Sequence, residues 1–318
     1  MMSKKSTNII YMGTASFGIP TLEIINENFN LIAIITNYDK PSGRGLKIKN
    51  SPVKDYAINN KISFFQPKNL KDIDFINIIK ELNPDFIIVV AFRMIPKSIW
   101  EIPRFGTINL HASLLPDYRG SAPINWVIIN NEIQTGVTSF YIDENIDTGD
   151  ILLQEKTEID SRITAGELHD KLQILGAGVI KKTIDGVLIA KLKPLKQKKV
   201  SNLKTAYKFN KENIQINWNE SALNIYNKIR GLNPFPGART NLYSGSKKEK
   251  KLIIYNSDYI IENHNKYEGE IIIINNLLNV FCNDGYIIIK ELKVEGKKKM
   301  TTKALLNGFK IEKNSYFK

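Results

Sequence analysis

The stretch from Phe86 to Ala91 is an unbroken apolar run, Phe-Ile-Ile-Val-Val-Ala. Such a run is typical of a strand that is buried on both faces of a parallel sheet. The elements predicted before it alternate: strand 8–12, helix 18–26, strand 31–36, helix 53–60 and a helical segment near 73–82. This order predicts an α/β fold with a doubly wound, mostly parallel sheet, in which ligands bind beyond the carboxyl ends of the strands.

The polar residues that best indicate a function lie at the end of the next predicted strand, over residues 105–110. Asn109 and His111 lie two positions apart, so both side chains can project from one face of the strand end. Asp147 lies in the turn between two further predicted strands, 136–143 and 151–158. An amide can hold a carbonyl oxygen, an imidazole can move protons, and a carboxylate can orient the imidazole. Together they predict transfer of a one-carbon acyl group between nitrogens.

The pattern of predicted elements changes after a long helix. Thr164 and Glu167 have the spacing of a capping box, which predicts a helix that continues to about residue 185. A helix over 220–231 is followed by short predicted strands at 238–243, 252–256, 270–274, 278–282 and 286–294. Short strands divided by turns indicate a small β-barrel resembling an OB-fold. We therefore predict a catalytic domain over residues 1–190, a basic linker over 191–206 and a barrel domain over 207–318.

The charge is strongly positive, with 45 Lys and Arg against 32 Asp and Glu, a net charge of +13. A field of this sign suits a partner that is rich in phosphate. The clearest basic groups are a glycine-rich loop and the linker; their candidate contacts are Arg44, Lys47, Lys49, Lys198 and Lys199. The chain is also rich in Lys, Asn and Ile, so part of the excess can follow from AT-rich coding.

Several classes of protein are disfavoured by the sequence. The single cysteine, Cys282, excludes an intramolecular disulfide and a cysteine cage for a metal, and no histidine has the spacing of a metal site. No apolar stretch approaches the roughly 20 residues of a membrane span. We expect a cytoplasmic protein that binds neither a metal nor a membrane.

Four motifs together resemble the formyltetrahydrofolate-dependent formyltransferase family. They are Asn109-Leu-His-Ala-Ser-Leu-Leu-Pro-Asp-Tyr-Arg-Gly-Ser-Ala-Pro-Ile124, Thr135-Gly-Val-Thr138, Asp147-Thr-Gly-Asp150 and Ala165-Gly-Glu-Leu-His-Asp-Lys-Leu172. The basic loop from Pro41 to Lys54 and the segment from Arg230 to Pro236 resemble members that act on a charged tRNA. The resemblance implies a monomer that transfers a formyl group from 10-formyltetrahydrofolate to the amino group of methionyl initiator tRNA, giving N-formylmethionyl-tRNA.

The same resemblance implies a role for individual residues. Asn109 would hold the formyl oxygen, His111 would move protons between the amine and the folate nitrogen, and Asp147 would hydrogen-bond to His111. The folate would lie along seven residues: Ser113, Leu114, Leu115, Pro116, Phe92, Met94 and Ile95. The tRNA would contact the basic loop and the linker.

One segment departs from the family pattern, and two other functions stay open. Ala91-Phe-Arg-Met-Ile-Pro96 is one residue shorter than the common form, so Arg93 would either add charge near the pterin or face solvent. A formyltransferase for a small amine, such as a nucleotide-sugar or glycinamide ribonucleotide, explains the three polar residues but leaves the basic loop and the second domain unused. A non-catalytic RNA-binding protein explains the charge but not the three polar residues.

Overall fold

The computed structural model describes residues 6–39, 41–42, 47–198, 201–245, 247–312 and 314–318, with the backbone alone at 41, 42, 47, 48 and 248. The chain forms two compact units. The first contains residues 1–120, 135–158 and 169–205, and the second contains residues 121–134, 159–168 and 206–318. The domain boundaries predicted at residues 190 and 207 remain a prediction, because the two units are defined by contacts in space and not by order along the chain.

Strands and helices are interspersed up to residue 206. The strands are β1 (Asn8–Gly13), β2 (Asn30–Ile35), β3 (Pro41–Ser42), β4 (Lys47–Ile48), β5 (Phe64–Phe65), β6 (Phe86–Val90), β7 (Thr107–His111), β8 (Arg119–Gly120), β9 (Gln134–Tyr141), β10 (Ile151–Glu158) and β11 (Thr205–Ala206). The helices are α1 (Ile19–Asn28), α2 (Pro52–Asn59), α3 (Ile73–Glu81), α4 (Lys97–Trp100), α5 (Pro123–Ile129) and α6 (Ala165–Leu188).

The core of the first unit is a sheet of seven strands in the order β10-β9-β7-β6-β1-β2-β5. Strands β5, β2, β1, β6 and β7 are parallel, and β9 is antiparallel to β7. All residues of β6 are buried, as the apolar run predicts. Side chains of α3 and α4 pack on one face, with Phe75, Ile79 and Ile99 in the core. On β9, Ser139 is hydrogen-bonded to Thr183 of α6 (2.7 Å). The predicted α/β fold with a mostly parallel, doubly wound sheet is confirmed.

The second unit is built around an antiparallel sheet. Its elements after residue 206 are α7 (Ala222–Gly231), β12 (Ala238–Ser244), β13 (Lys247–Ile261), β14 (Ile271–Ile274), β15 (Leu277–Cys282), β16 (Gly285–Val294), β17 (Met300–Thr301), α8 (Thr302–Leu306) and β18 (Ser315–Phe317). The strand order is β14-β15-β16-β13-β12-β18, with β17 on β16. The N–H of Phe317 donates to the carbonyl of Gly269 (2.8 Å), and Glu270 bridges to Tyr316, so the two ends of the sheet meet. The predicted barrel is therefore confirmed.

Two earlier segments of the chain complete the second unit. The side-chain amide of Asn125, on α5, donates to the carbonyl of Gly231 (2.7 Å). Arg230 is buried on α7, and its guanidinium donates to the side chain of Asn227 (2.8 Å) and to the carbonyl of Ile163 (3.0 Å). Burial lowers the pKa of Arg230, although its polar partners are retained. Arg230 thus ties α7 to the segment before α6. No helix among the described residues has the length and apolar character that crossing a bilayer requires.

Candidate active site

Asn109 and His111 lie on β7, and strand alternation places them on the same face as Thr107. Asn109 is paired in register with Val89 of β6 and Phe140 of β9. It is half-buried, and within the described residues no hydrogen bond engages its side-chain amide. A fixed strand therefore presents an amide donor that is available to a carbonyl oxygen.

The ring of His111 is buried and is held by a backbone carbonyl. Its Nε2 lies 2.8 Å from the carbonyl oxygen of Tyr118. Because a carbonyl oxygen only accepts hydrogen bonds, Nε2 carries a proton, and in the neutral ring Nδ1 keeps the lone pair. The N–H of Tyr118 donates in turn to the carbonyl of Lys204 (2.6 Å). The backbone at Tyr118 therefore sets the tautomer of His111.

Asp147 faces the other nitrogen of the ring. Its Oδ2 lies 3.7 Å from Nδ1 of His111, and it accepts a hydrogen bond from the N–H of Gly120 (2.9 Å). The direct hydrogen bond to His111 that the family resemblance implies is not formed at this distance, and in the neutral ring Nδ1 has no proton to donate. Only 7% of the His111 side chain and 12% of the Asp147 side chain are exposed, so solvent screens the pair weakly. The carboxylate can stabilise the ring when Nδ1 gains a proton.

A tight loop between β9 and β10 positions Asp147. The carboxylate of Asp143 accepts hydrogen bonds from the N–H of Asn145 (3.0 Å) and the hydroxyl of Thr148 (2.7 Å). A Cβ atom at Gly149 would lie 1.7 Å from the carbonyl oxygen of Tyr141, so only glycine fits there. Asp147 itself has a φ of +55°, in the left-handed region that side chains disfavour. The loop therefore forces Asp147 into a costly backbone conformation.

The segment that was predicted to lie along the folate is partly an interior turn. Ser113 is fully buried, and its hydroxyl donates to the carbonyl of Asp117 (2.8 Å). Leu115 is also buried, and its N–H donates to the hydroxyl of Thr138 (3.1 Å). Leu114 and Pro116 are half-buried. A ligand beside this turn would thus meet Leu114 and Pro116 first, and the role of the four residues in folate binding remains a prediction.

The second predicted folate segment begins directly after β6. The guanidinium of Arg93 donates to the backbone carbonyls of Pro67 and Lys68, the latter at 2.9 Å, and burial lowers its pKa. Arg93 thus braces a neighbouring loop and does not extend freely into solvent, and its effect on a pterin remains a prediction. Phe92 packs against the core of the sheet, Ile95 is buried, and Met94 is 71% exposed.

A cavity of about 450 Å³ opens on the first unit, and the sequence did not point to it. It is lined by Trp100, Glu101, Pro103, Gly106, Thr107, Tyr141 and Ile142. Thr107 lies on the same face of β7 as Asn109 and His111. Trp100 and Ile142 pack against the same apolar cluster as Phe92. Gly106 and Thr107 lie at the amino end of β7, whereas His111 lies at its carboxyl end, so the cavity opens at the other end of the strand from His111.

The predicted basic contacts are described only in part. Arg44 and Lys199 lie outside the described residues. Lys47 belongs to β4, which pairs with β3, and its side chain is not described. Lys49 and Lys198 are exposed. Among the described residues, no three His, Cys, Asp or Glu side chains are grouped as a metal site requires.

Comparison with known protein families covers most of the chain. A family model described as formyl transferase matches residues 7–184, and one described as formyl transferase, C-terminal domain, matches residues 208–310. The methionyl-tRNA formyltransferase of Flavobacterium johnsoniae is 44% identical over 301 residues, which cover 94% of this chain and 95% of the relative. The methionyl-tRNA formyltransferase of Bacteroides thetaiotaomicron is 40% identical over 315 residues, with 98% of each chain covered.

A solved structure shares the fold at lower identity. The N-formyltransferase from Helicobacter canadensis, solved with folinic acid and dTDP-3-aminofucose, superposes with a TM-score of 0.62. The two chains are 22% identical, and the match covers 92% of this chain and all of that one. At this identity the likeness shows the fold alone.

Proposed function

The chain belongs to the formyl transferase family, and on that premise we propose that it transfers a formyl group from 10-formyltetrahydrofolate to methionyl initiator tRNA. The product is N-formylmethionyl-tRNA. The observation that carries the proposal is the similarity to methionyl-tRNA formyltransferases over nearly the full length of both chains. The grouping of Asn109, His111 and Asp147 supports the same chemistry.

The chemistry follows from the charges that develop during transfer. The amine nitrogen bonds to the formyl carbon, and negative charge builds on the formyl oxygen, to which the amide of Asn109 donates. The amine loses a proton, the bond from the formyl carbon to the folate nitrogen breaks, and that nitrogen gains a proton. Nδ1 of His111 holds the lone pair that accepts the proton, and Asp147, 3.7 Å away, stabilises the charged ring.

The donor would lie along the two segments that the family resemblance implies. Leu114 and Pro116 are half-buried and Met94 is exposed, so these side chains would contact the folate. Phe92 packs against the core of the sheet, and the buried residues Ile95, Ser113 and Leu115 would support the folate-binding surface.

The acceptor is proposed from the charge of the chain and from its relatives. A net charge of +13 favours a polyanionic substrate. Arg44, Lys47 and Lys49 would contact tRNA phosphates from the glycine-rich loop, and Lys198 and Lys199 would do so from the linker. We further propose that the protein acts as a monomer in the cytoplasm.

Acceptor choice tests the proposal directly. Purified protein is incubated with 10-formyltetrahydrofolate and, separately, with methionyl initiator tRNA, methionyl elongator tRNA, glycinamide ribonucleotide and an amino-sugar nucleotide. We expect formylation of the initiator tRNA alone, with an affinity that falls steeply as salt rises. Transfer to a small amine but to neither tRNA would establish the first alternative. Binding of tRNA without any transfer would establish the second.

A further inference from the structure

Gln197 lies in the segment predicted to be a linker, which belongs to the first unit, and its side chain is part of the framework of the candidate site. Its amide nitrogen donates to the carbonyls of Asp147 (2.9 Å) and Gly149 (2.8 Å). Its amide oxygen accepts from Nε and Nη2 of Arg119, at 3.1 Å and 2.5 Å. A guanidinium only donates, so Arg119 fixes which end of the amide faces the Asp147 loop. Gln197 therefore joins the loop of Asp147 to the strand that carries Arg119.

The linker around Gln197 is itself anchored to the first unit. Leu195 exchanges two hydrogen bonds with Ile151 at the start of β10, both 2.8 Å long. Further along, the carbonyl of Lys204 accepts from the N–H of Tyr118, whose own carbonyl binds His111. The linker thus contacts the residues that hold both His111 and Asp147.

We propose that Gln197 is a positioning residue for formyl transfer, because it holds Asp147 against Nδ1 of His111; the inference rests on the proposed function. Asp147 has an unfavourable φ of +55°, and such a conformation persists only where neighbouring groups hold it. Outside the loop itself, two residues hold Asp147: the N–H of Gly120 donates to its carboxylate, and the side chain of Gln197 donates to its carbonyl. Without Gln197, Asp147 would be held only by the hydrogen bonds within the loop and by Gly120, so the loop would relax more readily away from His111.

The position of Gln197 also gives the linker an influence on the reaction. The next two residues, Lys198 and Lys199, are the proposed linker contacts for tRNA. The arrangement makes the placement of the carboxylate depend on how the linker is held.

Two substitutions separate the hydrogen bonds that Gln197 donates from those that it accepts. Gln197→Leu removes all four hydrogen bonds. Gln197→Glu keeps an acceptor for Arg119 and loses the donors to Asp147 and Gly149. We expect both variants to lower kcat by about 10- to 100-fold, with the KM for tRNA and for the folate little changed. Gln215→Leu is the matched control, since its amide also donates to a backbone carbonyl, that of Lys318, outside this network.

A double substitution and a measurement that needs no activity complete the test. In an Asp147→Ala background, Gln197→Leu should cost no further activity, because its effect passes through Asp147. Hydrogen exchange of backbone amides in residues 143–150 should rise in both Gln197 variants and not in Gln215→Leu. Unchanged kcat, unchanged exchange, or a loss that adds fully to that of Asp147→Ala would overturn the proposal. If the leucine variant does not fold, the glutamate variant is judged by the same criteria. A wild-type protein that formylates no tRNA refutes the proposed function, while the exchange result still decides whether Gln197 holds the loop.

Discussion

The Nε2 atom of His111 lies 2.8 Å from the carbonyl oxygen of Tyr118, and a carboxylate faces only the opposite nitrogen of the ring. A backbone group therefore decides which nitrogen carries the proton in the neutral ring. The carboxylate of Asp147 then acts on the charged form of the ring, in which Nδ1 is also protonated. Tyr118 thus orients the ring of His111, and Asp147, in a different part of the chain, stabilises its charged form.

Replacing His111 with alanine should remove the proton transfer and leave folate binding in place. We expect kcat to fall by about 10²- to 10⁴-fold, the range typical of a lost general acid–base. His264→Ala is the matched control, because Nε2 of His264 also lies 2.8 Å from a backbone carbonyl, that of Cys282. Comparable losses in the two variants would show that His111 acts through stability alone.

Asn109→Ala should remove a donor to the developing oxyanion. Loss of one such donor costs about 10²- to 10³-fold in kcat in other enzymes, and we expect a loss of that order. Single-turnover formylation with saturating substrates measures the chemical step. Asn241→Ala, which removes an amide bonded to the carbonyl of Lys318 on the barrel, is the control. Near-normal single-turnover rates in Asn109→Ala would remove this residue from the mechanism.

Arg44→Ala should weaken the use of tRNA more than the binding of folate. A lost phosphate contact lowers tRNA affinity and reduces the salt dependence of binding by about one ion. The measurements are tRNA affinity across a salt series and folate affinity by fluorescence. Lys71→Ala serves as a control, since Lys71 is an exposed cation outside the predicted contacts. Equal losses for both ligands would contradict the assignment of Arg44 to tRNA.

Glu167 should stabilise the protein at neutral pH through its capping box. Its carboxylate accepts from the N–H (2.8 Å) and hydroxyl (2.7 Å) of Thr164, and the hydrogen bond from the Thr164 N–H is the main cause of its lowered pKa. Glu167→Ala should reduce the free energy of unfolding by about 1 kcal/mol. Because the folded-state pKa is lowered, the ionic part is complete above the unfolded-state pKa and is lost as pH falls through the folded-state pKa.

Denaturant unfolding of wild type, Glu167→Ala and Glu167→Gln over a pH series measures this effect. The glutamine variant can still make a capping box, so its difference from wild type should shrink on acidification. A stability difference that grows as the pH falls would contradict the stabilising role of the ionised Glu167 carboxylate.

Cys282 should be unreactive in the folded protein. Burial raises the pKa of its thiol to about 11 and leaves the side chain inaccessible, so little thiolate forms at pH 8. Alkylation by iodoacetamide should be slow in native protein and rapid in denaturant, as measured by mass spectrometry. Fast labelling under native conditions would show that this part of β15 opens readily.

Local patterns explain which elements were predicted well. The apolar run predicted a strand over 86–91, and β6 spans Phe86–Val90, because burial on both faces leaves a clear signal. The strand predicted over 252–256 is much longer, since β13 begins at Lys247 within a lysine-rich stretch and ends at Ile261. Its pairing with β12 and β16 outweighs the weak strand preference of lysine. Helix α5 was not predicted, because it is short and depends on packing within the second unit.

The geometry of the candidate site could be predicted where its side chains are close together in the chain. The shared face of Asn109 and His111 follows from strand alternation alone. Backbone partners carry no sequence signature, so the carbonyl of Tyr118 and the N–H of Gly120 could not be inferred. Nor could the bracing role of Arg93, because its acceptors are the carbonyls of Pro67 and Lys68.

The make-up of the second unit has a consequence for how the protein is synthesised. Asn125 and the segment around Ile163 leave the ribosome well before α7, which carries Arg230 and Gly231, their hydrogen-bonding partners. The last strand, β18, is needed to bring the ends of the barrel sheet together. The nascent chain must therefore carry the early segments of the second unit before the strands that complete it have been made. We expect the second unit to assemble only after β18 has left the ribosome.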